Sequence, residues 1–336
     1  MKRSLFRAGI AALALTTLVG CSSDTDSTDP TTGAGTGAFP VTIDNTFGAT
    51  TIDSEPQRLV TMGWNAQDVL YALGLTPVGQ PKYIYGADPN GVMPWAQPYF
   101  DADATTLYDD PQSGDPSVES IAALTPDAIL APYEGFDEAY YRRLSEIAPT
   151  VAYPGGAWQT TWQDQTSIIG QAVGRPDEAR ALVDGLGATL ADTAAAHPEF
   201  AGKTLTVVNF DTASGAANVY LPTDPRVQVL TELGFVNAPG VEALAQDNPT
   251  GSFYKSLSFE NLRDIDADVV VAFVDGSSDT ATHPALGQLS AIGRGSAVLL
   301  SDQQVVAGLS NVNVLSIPWV LDKIVPQLSE AAGKVG

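Results

Sequence analysis

One stretch of this chain repeats an earlier one, and this repeat constrains the fold more than any other feature. Residues 117–131 (SVESIAALTPDAILA) and 258–272 (SFENLRDIDADVVVA) share a Ser, a Glu two positions later, aliphatic residues at helical spacing, an Asp and a final Ala. Ser is favoured at helix N-caps, and a continuous apolar run is typical of a strand buried on both faces. Each unit therefore predicts a short helix with Ser at its N-cap, then a turn and a buried strand.

A second pair of similar segments occurs in the same order along the chain. Residues 68–75 (DVLYALGL) resemble residues 228–235 (QVLTELGF), and in both a Gly ends the helical pattern. The simplest explanation of two ordered pairs is that the chain folds into two similar α/β lobes. Chance similarity is the alternative, because generic helix–strand units recur in all α/β folds.

The segments around these repeats predict the remaining architecture. Residues 39–52 predict a hairpin, and residues 58–79 alternate strand, helix and strand, which indicates a parallel sheet with right-handed crossovers. A helical pattern covers 162–173, and Pro176 opens a further helix of about twenty residues, about 30 Å long, which could bridge two lobes. We place an N-terminal lobe at 41–157, connecting helices at 158–200 and a C-terminal lobe at 201–336.

The N-terminus has the pattern of a bacterial export signal. Lys2, Arg3 and Arg7 precede an apolar run over 8–19, which is shorter than the roughly 20 residues that a membrane-spanning helix needs. The tetrapeptide LVGC, ending at Cys21, resembles the lipobox of lipoprotein signals, which implies cleavage after residue 20 and lipidation of Cys21. An ordinary signal beside a lone cysteine is the alternative. Residues 1–20 are thus a predicted signal peptide, and residues 21–40 a flexible tether.

Composition argues against several classes of function. The chain carries 39 acidic and 16 basic residues and a formal net charge of −23, which disfavours nucleic-acid binding through a basic face. Two histidines, His197 and His283, cannot form a His-rich metal site, and a lone cysteine leaves no disulfide framework. The sequence lacks a nucleophile elbow, a dinucleotide-binding glycine motif and a P-loop. We therefore expect no enzyme; a carrier of free metal ions and a structural adhesin are weaker alternatives.

Short segments spread over the body together resemble a known family. They are 56–60, 68–74, 119–130, 144–150, 169–179 and 258–268. In their joint order and spacing, the chain resembles the lipoprotein substrate-binding components of bacterial ABC importers for ferric siderophores, cobalamin and haem. The resemblance implies two Rossmann-like lobes joined by one long helix, with the ligand cleft between them. It also implies a monomer held by lipid at the extracytoplasmic face of the cell membrane, with no cofactor of its own because the ligand carries Fe(III).

The resemblance gives the repeated glutamates a role. In this family an acidic residue on each lobe docks on arginines of the dimeric ABC permease, and Glu119 and Glu260 match those positions. Two carboxylates at a fixed separation suit two symmetry-related basic pockets. The structural alternative is helix stabilisation, because an acidic side chain in a first turn interacts favourably with the helix dipole.

Ligands of two-lobed α/β proteins bind where the carboxyl ends of strands face the cleft. Side chains that follow the predicted strands are therefore the candidate ligand contacts. In the first lobe they are Trp64, Asn65, Lys82, Tyr83, Tyr85, Tyr133 and Trp158, with Trp95 on an irregular loop; in the second they are Tyr220, Arg226 and Tyr254. Further candidates are Asp211, Lys255, Asp275 and either Asn311 or Asn313. Arg226 stands out because a cation is unfavourable at a helix start, which indicates another purpose.

The few cations in this set rank the ligands. Ferric tricatecholates are strongly anionic, and these loops offer only Lys82, Arg226 and Lys255. Ferric siderophores of the hydroxamate type, or with mixed ligands, are closer to neutral and fit the aromatic set better, and we favour the hydroxamate type. Haem requires an axial ligand such as His or Tyr. The histidines are poorly placed for this role, but a Tyr ligand remains an alternative. Cobalamin stays open as well.

Overall fold

The computed structural model describes residues 39–108, 116–275 and 282–336. The predicted signal peptide, Cys21 and nearly all of the predicted tether lie outside these residues. Within them, no helix combines the length and the apolar character that crossing a membrane requires.

The first half of the described chain forms the predicted hairpin and a parallel sheet. The hairpin pairs β1 (Val41–Asn45) with β2 (Gly48–Ile52). The sheet has the order β5-β4-β3-β6-β7, with strands β3 (Leu59–Thr61), β4 (Gly79–Pro81), β5 (Thr106–Tyr108), β6 (Ala128–Ala131) and β7 (Thr150–Ala152). Helices α1 (Ala66–Ala72), α2 (Val118–Ala123) and α3 (Glu138–Ser145) alternate with these strands. Because β3, β6 and β7 are buried along their whole length, they have the character expected of a parallel sheet that is covered on both faces.

The second sheet is mixed, so the second α/β lobe differs from the first in the direction of some of its strands. Its strands are β8 (Thr204–Asp211), β9 (Ala216–Tyr220), β10 (Val236–Asn237), β11 (Tyr254–Ser258), β12 (Val269–Phe273) and β13 (Ala297–Leu300), in the order β11-β9-β8-β12-β13 with β10 beside β8. Strands β8 and β9 form an antiparallel hairpin, and β11 runs antiparallel to β9. The hairpin turn closes because Asp211 accepts hydrogen bonds from the backbone of Ala213 and Ser214, and Gly215 adopts a positive φ of 68°.

Within the residues that the structure describes, five α-helices accompany the second sheet. They are α6 (Pro225–Glu232), α7 (Pro239–Gln246), α8 (Ser290–Arg294), α9 (Gln303–Ser310) and α10 (Ser316–Gly333). The match between residues 68–75 and 228–235 is structural, because these segments form α1 and α6 with the turns that end them. Gly74 and Gly234 both adopt positive φ, and this is the backbone conformation for which Gly is favoured after a helix.

Two helices connect the sheets, as predicted. They are α4 (Trp162–Ala172) and α5 (Pro176–Ala196), and the 21 residues of α5 give a length of about 30 Å. The two helices approach closely at Gly170, where a Cβ would fall 2.2 Å from that of Ala179. Gln163 on α4 donates to Glu232 on α6, and Arg175 donates to the carbonyl of Leu73 beyond α1. The connecting helices therefore hold both lobes.

The two repeated units, 117–131 and 258–272, occupy equivalent places in the two sheets, as the shared Asp of each unit shows. Asp127 accepts hydrogen bonds from the backbone of Gln57 and Arg58 before β3, and Asp268 accepts one from Thr204 at the start of β8. Each Asp thus ties the strand that follows it, β6 or β12, to the neighbouring strand of its sheet.

The two units differ at the serine that opens each of them. Ser117 caps α2 by accepting a hydrogen bond from the backbone of Ser120. Ser258 occupies the predicted N-cap position, but the helix that follows, Phe259–Ile265, is 3₁₀ and the Ser258 side chain makes no capping hydrogen bond. Ser258 ends the paired strand β11, and its hydroxyl accepts a hydrogen bond from Asn261 instead.

One hydrophobic core runs through both lobes. It includes Leu59 and Val69 in the first lobe, Leu205 in the second, and Ile169 and Leu186 on the connecting helices. Because moving one lobe would disturb this shared packing, the lobes are braced against large rotations.

Candidate functional site

A cavity of about 500 Å³ opens between the two sheets. Most of the side chains that line it are aromatic or carry an amide. They are Trp64, Tyr85, Tyr133, Trp158, Asn209, Asn218, Tyr220, Arg226, Phe253, Tyr254, Phe273, Val306 and Ser310. Seven residues of the predicted set are therefore brought together here: Trp64, Tyr85, Tyr133, Trp158, Tyr220, Arg226 and Tyr254.

The wall from the first lobe is built of aromatic rings on loops that follow parallel strands. The ring of Trp158 meets those of Trp64 and Tyr133 edge to face, with centroid distances of 6.3 and 5.7 Å. Trp158 has a left-handed backbone, with φ of 61°, and its backbone N–H donates to the carbonyl of Glu134. A Cβ on Gly135 would lie 2.2 Å from the indole Nε1 of Trp158. The glycine thus leaves room for this ring at the cavity wall.

The wall from the second lobe carries Arg226 on the first turn of α6. Its guanidinium lies over the Tyr220 ring, 3.7 Å from the centroid. Its Nε and Nη2 donate to the two carboxylate oxygens of the fully buried Asp224, at 2.8 and 2.6 Å. Burial lowers the pKa of Arg226, but the negative charge of Asp224 outweighs this and raises the pKa above its usual value. Arg226 therefore stays charged. The ion pair with Asp224 offsets the unfavourable interaction of a positive charge with the N-terminus of a helix.

The amides of this wall come from inside two strands. Asn209 of β8 and Asn218 of β9 are directly paired in the antiparallel hairpin. Their side chains can both donate and accept hydrogen bonds, so they suit the oxygen atoms of a polar ligand.

Three tyrosines of the cavity, Tyr85, Tyr133 and Tyr220, are held in their protonated form. Burial is the main cause that raises the pKa of Tyr133, Tyr220 and Tyr85. At neutral pH these phenols can donate hydrogen bonds, whereas a tyrosinate ligand to iron would require loss of a proton that burial disfavours.

Four predicted ligand contacts lie outside the cavity, which corrects their placement. Asn65 is fully buried and donates to the carbonyl of Val312, and the Tyr83 hydroxyl donates to the carbonyl of Gly63. Trp95 is buried and donates from Nε1 to Asp68. Lys82 is exposed and lines a separate groove. Lys82, Tyr83 and Trp95 lie on the long segment after β4, and Asn65 lies between β3 and α1; these positions did not bring the four side chains to the cavity.

The further candidates also lie outside the lining set. Asp211 closes the β8–β9 turn, and Lys255 pairs with Asp247 at 2.6 Å. Asn311 and Asn313 are buried in hydrogen-bonded positions, and Asp275 is exposed.

Six lining residues were absent from the prediction. They are Asn209, Asn218, Phe253, Phe273, Val306 and Ser310. A signal existed for the amides, because each Asn stands among apolar residues of a strand: VVNF for Asn209 and AANVY for Asn218. Such an interruption needs a polar partner or a cavity.

A buried polar cluster joins the lobes away from the cavity lining. The Asp68 carboxylate of α1 accepts hydrogen bonds from Trp95 at 2.6 Å, Asn313 at 2.7 Å and Gln67 at 3.1 Å. Burial raises the pKa of Asp68 to about 7, although these hydrogen bonds act in the opposite direction. The bond to Asn313 ties α1 to the turn before α10.

The repeated glutamates are both exposed. Glu119 lies in the first turn of α2, where hydrogen bonds from its own backbone N–H and from Ser117 lower the pKa of its carboxyl. Glu260 lies in the first turn of the 3₁₀ helix. Over the described ranges, His, Cys, Asp and Glu side chains form no group of three that could hold a metal ion.

Two α/β lobes, a long connecting helix and a cavity between the sheets define a two-lobed solute-binding protein. The chain belongs to the periplasmic binding protein family, whose model matches residues 59–292. This confirms the family that the sequence segments indicated. Because the members are binding proteins, it also confirms the expectation that the chain is not an enzyme.

Individual relatives agree with this assignment. The chain is 26% identical over 274 residues to the probable siderophore-binding lipoprotein YfiY of Bacillus subtilis, covering 81% of this chain and 80% of YfiY. It is also 26% identical to a cobalamin-binding protein of Halobacterium salinarum, over 82% of this chain and 70% of that protein. The structure of Streptococcus pneumoniae PiaA in complex with ferrichrome superposes with a TM-score of 0.79 at 31% identity, covering 88% of this chain and 99% of PiaA, which confirms the two-lobed fold.

Proposed function

We propose that this protein is the substrate-binding component of an ABC importer, which captures a ferric siderophore and delivers it to the permease. The observation that carries the proposal is the cavity between the lobes, with its aromatic wall and its single arginine. Its volume of about 500 Å³ lies in the usual range for small-molecule sites. The names of YfiY as siderophore-binding and of PiaA as a ferrichrome complex support this ligand class.

The lining favours a hydroxamate-type siderophore. Within the described part of the chain, Arg226 is the one lining side chain that is charged at neutral pH. A strongly anionic tricatecholate complex would lose its hydration without gaining several cationic partners. A ferric trihydroxamate has no net charge at its iron centre, and its apolar faces can pack against Trp64 and Trp158. In this proposal Fe(III) arrives fully coordinated by the siderophore, and the protein contributes no cofactor.

The same role for cobalamin or haem is the alternative. Similarity to the Halobacterium cobalamin-binding protein favours cobalamin as the second candidate. Haem has less support, because the histidines are engaged elsewhere: His197 pairs with Glu199 at 2.9 Å, and His283 accepts a hydrogen bond from the backbone of Ala285.

Tryptophan fluorescence tests the ligand. The protein without residues 1–38 would be titrated with ferrichrome, ferric enterobactin, haem and cyanocobalamin. We expect saturable quenching by ferrichrome at sub-micromolar concentration. Trp64→Phe and Trp158→Phe should reduce the quenching, whereas the control Trp95→Phe, outside the cavity, should retain it. A response to haem or cobalamin alone would overturn the siderophore assignment and keep the transport role.

We also propose that Glu119 and Glu260 are the residues through which this protein docks on the permease. The double variant Glu119→Ala/Glu260→Ala should bind ferrichrome normally but lose uptake in cells that depend on this protein. A control variant, Glu146→Ala/Glu330→Ala, removes two exposed carboxylates elsewhere and should transport normally. Unchanged uptake by the first variant would contradict docking through these residues.

Anchoring at the extracytoplasmic face of the membrane is proposed through lipidated Cys21. The variant Cys21→Ala should lose incorporation of labelled fatty acid and leave the membrane fraction. Retention of the label would place the lipid on another residue.

A further inference from the structure

Asp224 contacts the cavity through Arg226 and does not line it. We propose that Asp224 sets the charge selectivity of the cavity, because its carboxylate cancels the charge of Arg226 and leaves a site that prefers ligands without net charge. This inference rests on the proposed capture of a ferric siderophore and deepens it. Asp224 would act as a specificity-determining residue without touching the ligand.

The pair is rigid and almost completely removed from solvent. Asp224 accepts three hydrogen bonds from Arg226: from the backbone N at 2.8 Å, from Nε at 2.8 Å and from Nη2 at 2.6 Å. The side chain of Asp224 is fully buried, and that of Arg226 is 11% exposed. The guanidinium carbon also lies 3.7 Å from the ring centroid of Tyr220 and 5.6 Å from that of Phe253. The two charges therefore stay together at one fixed separation.

In this geometry Arg226 can still donate hydrogen bonds to a ligand, although Asp224 cancels its charge. Two of the three guanidinium nitrogens are engaged with Asp224, so Nη1 and the second hydrogen of Nη2 remain directed elsewhere and can donate to a ligand oxygen. The other described lining residues are uncharged at neutral pH. A ligand consequently meets a donor attached to a neutral pair. Anionic complexes gain little from such a site, and cationic ones gain little as well.

Three probes isolate charge from shape. They are the ferric complexes of desferrioxamine B and of its N-acetyl and N-succinyl derivatives, which share one trihydroxamate framework and carry net charges of about +1, 0 and −1 at neutral pH. The wild-type protein should bind the neutral complex most tightly. Affinities would be measured by calorimetry at fixed ionic strength, because salt screens the interaction.

Asp224→Asn is the informative single variant. Asn is as good an N-cap as Asp, so the side-chain oxygen that caps α6 is kept while the negative charge is removed. The cavity then carries an uncompensated positive charge. The anionic probe should gain roughly tenfold over the neutral probe, and the cationic probe should lose a similar factor, the size expected for a unit charge about 10 Å away at an effective dielectric constant of about 20.

Arg226→Gln and the double variant complete a double-mutant cycle. Arg226→Gln leaves the Asp224 charge alone and should shift selectivity toward the cationic probe by a similar factor. The double variant Asp224→Asn/Arg226→Gln has no charge in the pair and should return to the wild-type order of the three probes, with weaker binding of all. It also keeps the test available if a single variant fails to fold, because neutral replacements of both partners are better tolerated than one unpaired buried charge.

The outcomes separate this proposal from the proposed function. If the wild type binds the probes but the anionic one most tightly, or if the variants weaken all three probes equally, Asp224 does not set charge selectivity and the proposal is overturned. If the folded wild type binds none of these probes nor ferrichrome, the siderophore assignment fails and this inference fails with it.

Discussion

The two walls of the cavity are built in different ways. In the first lobe Trp64, Tyr85, Tyr133 and Trp158 lie on loops that follow β3, β4, β6 and β7 of a wholly parallel sheet. In the second lobe the strands themselves supply Asn209, Asn218, Tyr220, Tyr254 and Phe273. The antiparallel hairpin β8–β9 turns a strand face toward the cleft, where side chains alternate between cavity and core. One wall offers stacking surfaces, and the other adds hydrogen-bonding groups.

The helices that are equivalent in the two lobes also differ. Asp68 of α1 is completely buried among three hydrogen-bond donors, whereas its counterpart on α6, Gln228, is half-buried and its side chain donates to the carbonyl of Pro222. An ionisable group is thus buried in the first lobe at the place where the second has a neutral amide. Of the effects that we predict, the largest follows from this asymmetry and concerns the pH dependence of the free energy of unfolding.

Replacing Asp68 should remove much of the pH dependence of stability. Burial raises its pKa in the folded state to about 7, well above the ordinary value for Asp of 3.8, so protonation favours the folded state. Its stabilising contribution is complete below about pH 4 and is lost as the pH rises through 7. At about 1.4 kcal/mol per pKa unit, the loss amounts to about 4 kcal/mol. Urea unfolding from pH 4 to 8 should show this decline in the wild type and a much flatter profile in Asp68→Asn.

Gln228→Glu is the matched control for Asp68. It places a carboxyl at the equivalent position of α6, where the surroundings are half-exposed, and should leave the change in unfolding free energy between pH 6 and 8 as in the wild type. An unchanged pH profile of Asp68→Asn would show that another group causes the decline.

The two walls should contribute unequally to binding. Trp158→Ala removes a large stacking surface and should weaken ferrichrome binding by about 10- to 100-fold, as expected for an aromatic anchor. Asn218→Ala removes neutral hydrogen bonds and should cost about 2- to 10-fold. Calorimetry is the suitable measurement, because Trp158 is itself a fluorophore. A larger loss for Asn218→Ala would mean that the second wall dominates recognition.

The smallest effect concerns the serines of the repeat. Ser117→Ala removes the cap of α2 and should lower the free energy of unfolding by about 1 kcal/mol. Ser258→Ala removes no cap and should change it by only a few tenths. Thermal unfolding of the two variants provides the comparison. Equal losses would indicate that the hydrogen bond from Asn261 to Ser258 is worth as much as the cap.

Sequence reasoning succeeded where the cause is local. Gly74 and Gly234 end helices through the backbone conformation of one residue, and Ser117 caps a helix through a residue three positions away. The first wall was predicted almost completely, because residues after parallel strands reach one edge of the sheet. The rule also selected Asn65, Lys82 and Tyr83, which follow β3 and β4 but do not line the cavity, because the rule does not show how the chain packs after a strand ends.

The sequence by itself determined the two α/β lobes, the connecting helix, the family and most aromatic residues of the cavity, because periodic patterns and caps act over about one structural unit. Only the tertiary structure decided that β9 and β11 run antiparallel, that Asn209 and Asn218 share the second wall, and that Asp224 neutralises Arg226. The same holds for the bond between Asp68 and Asn313, residues 245 positions apart. Such contacts depend on strand register and lobe packing, and those are settled by burial summed over the whole chain rather than by any short segment.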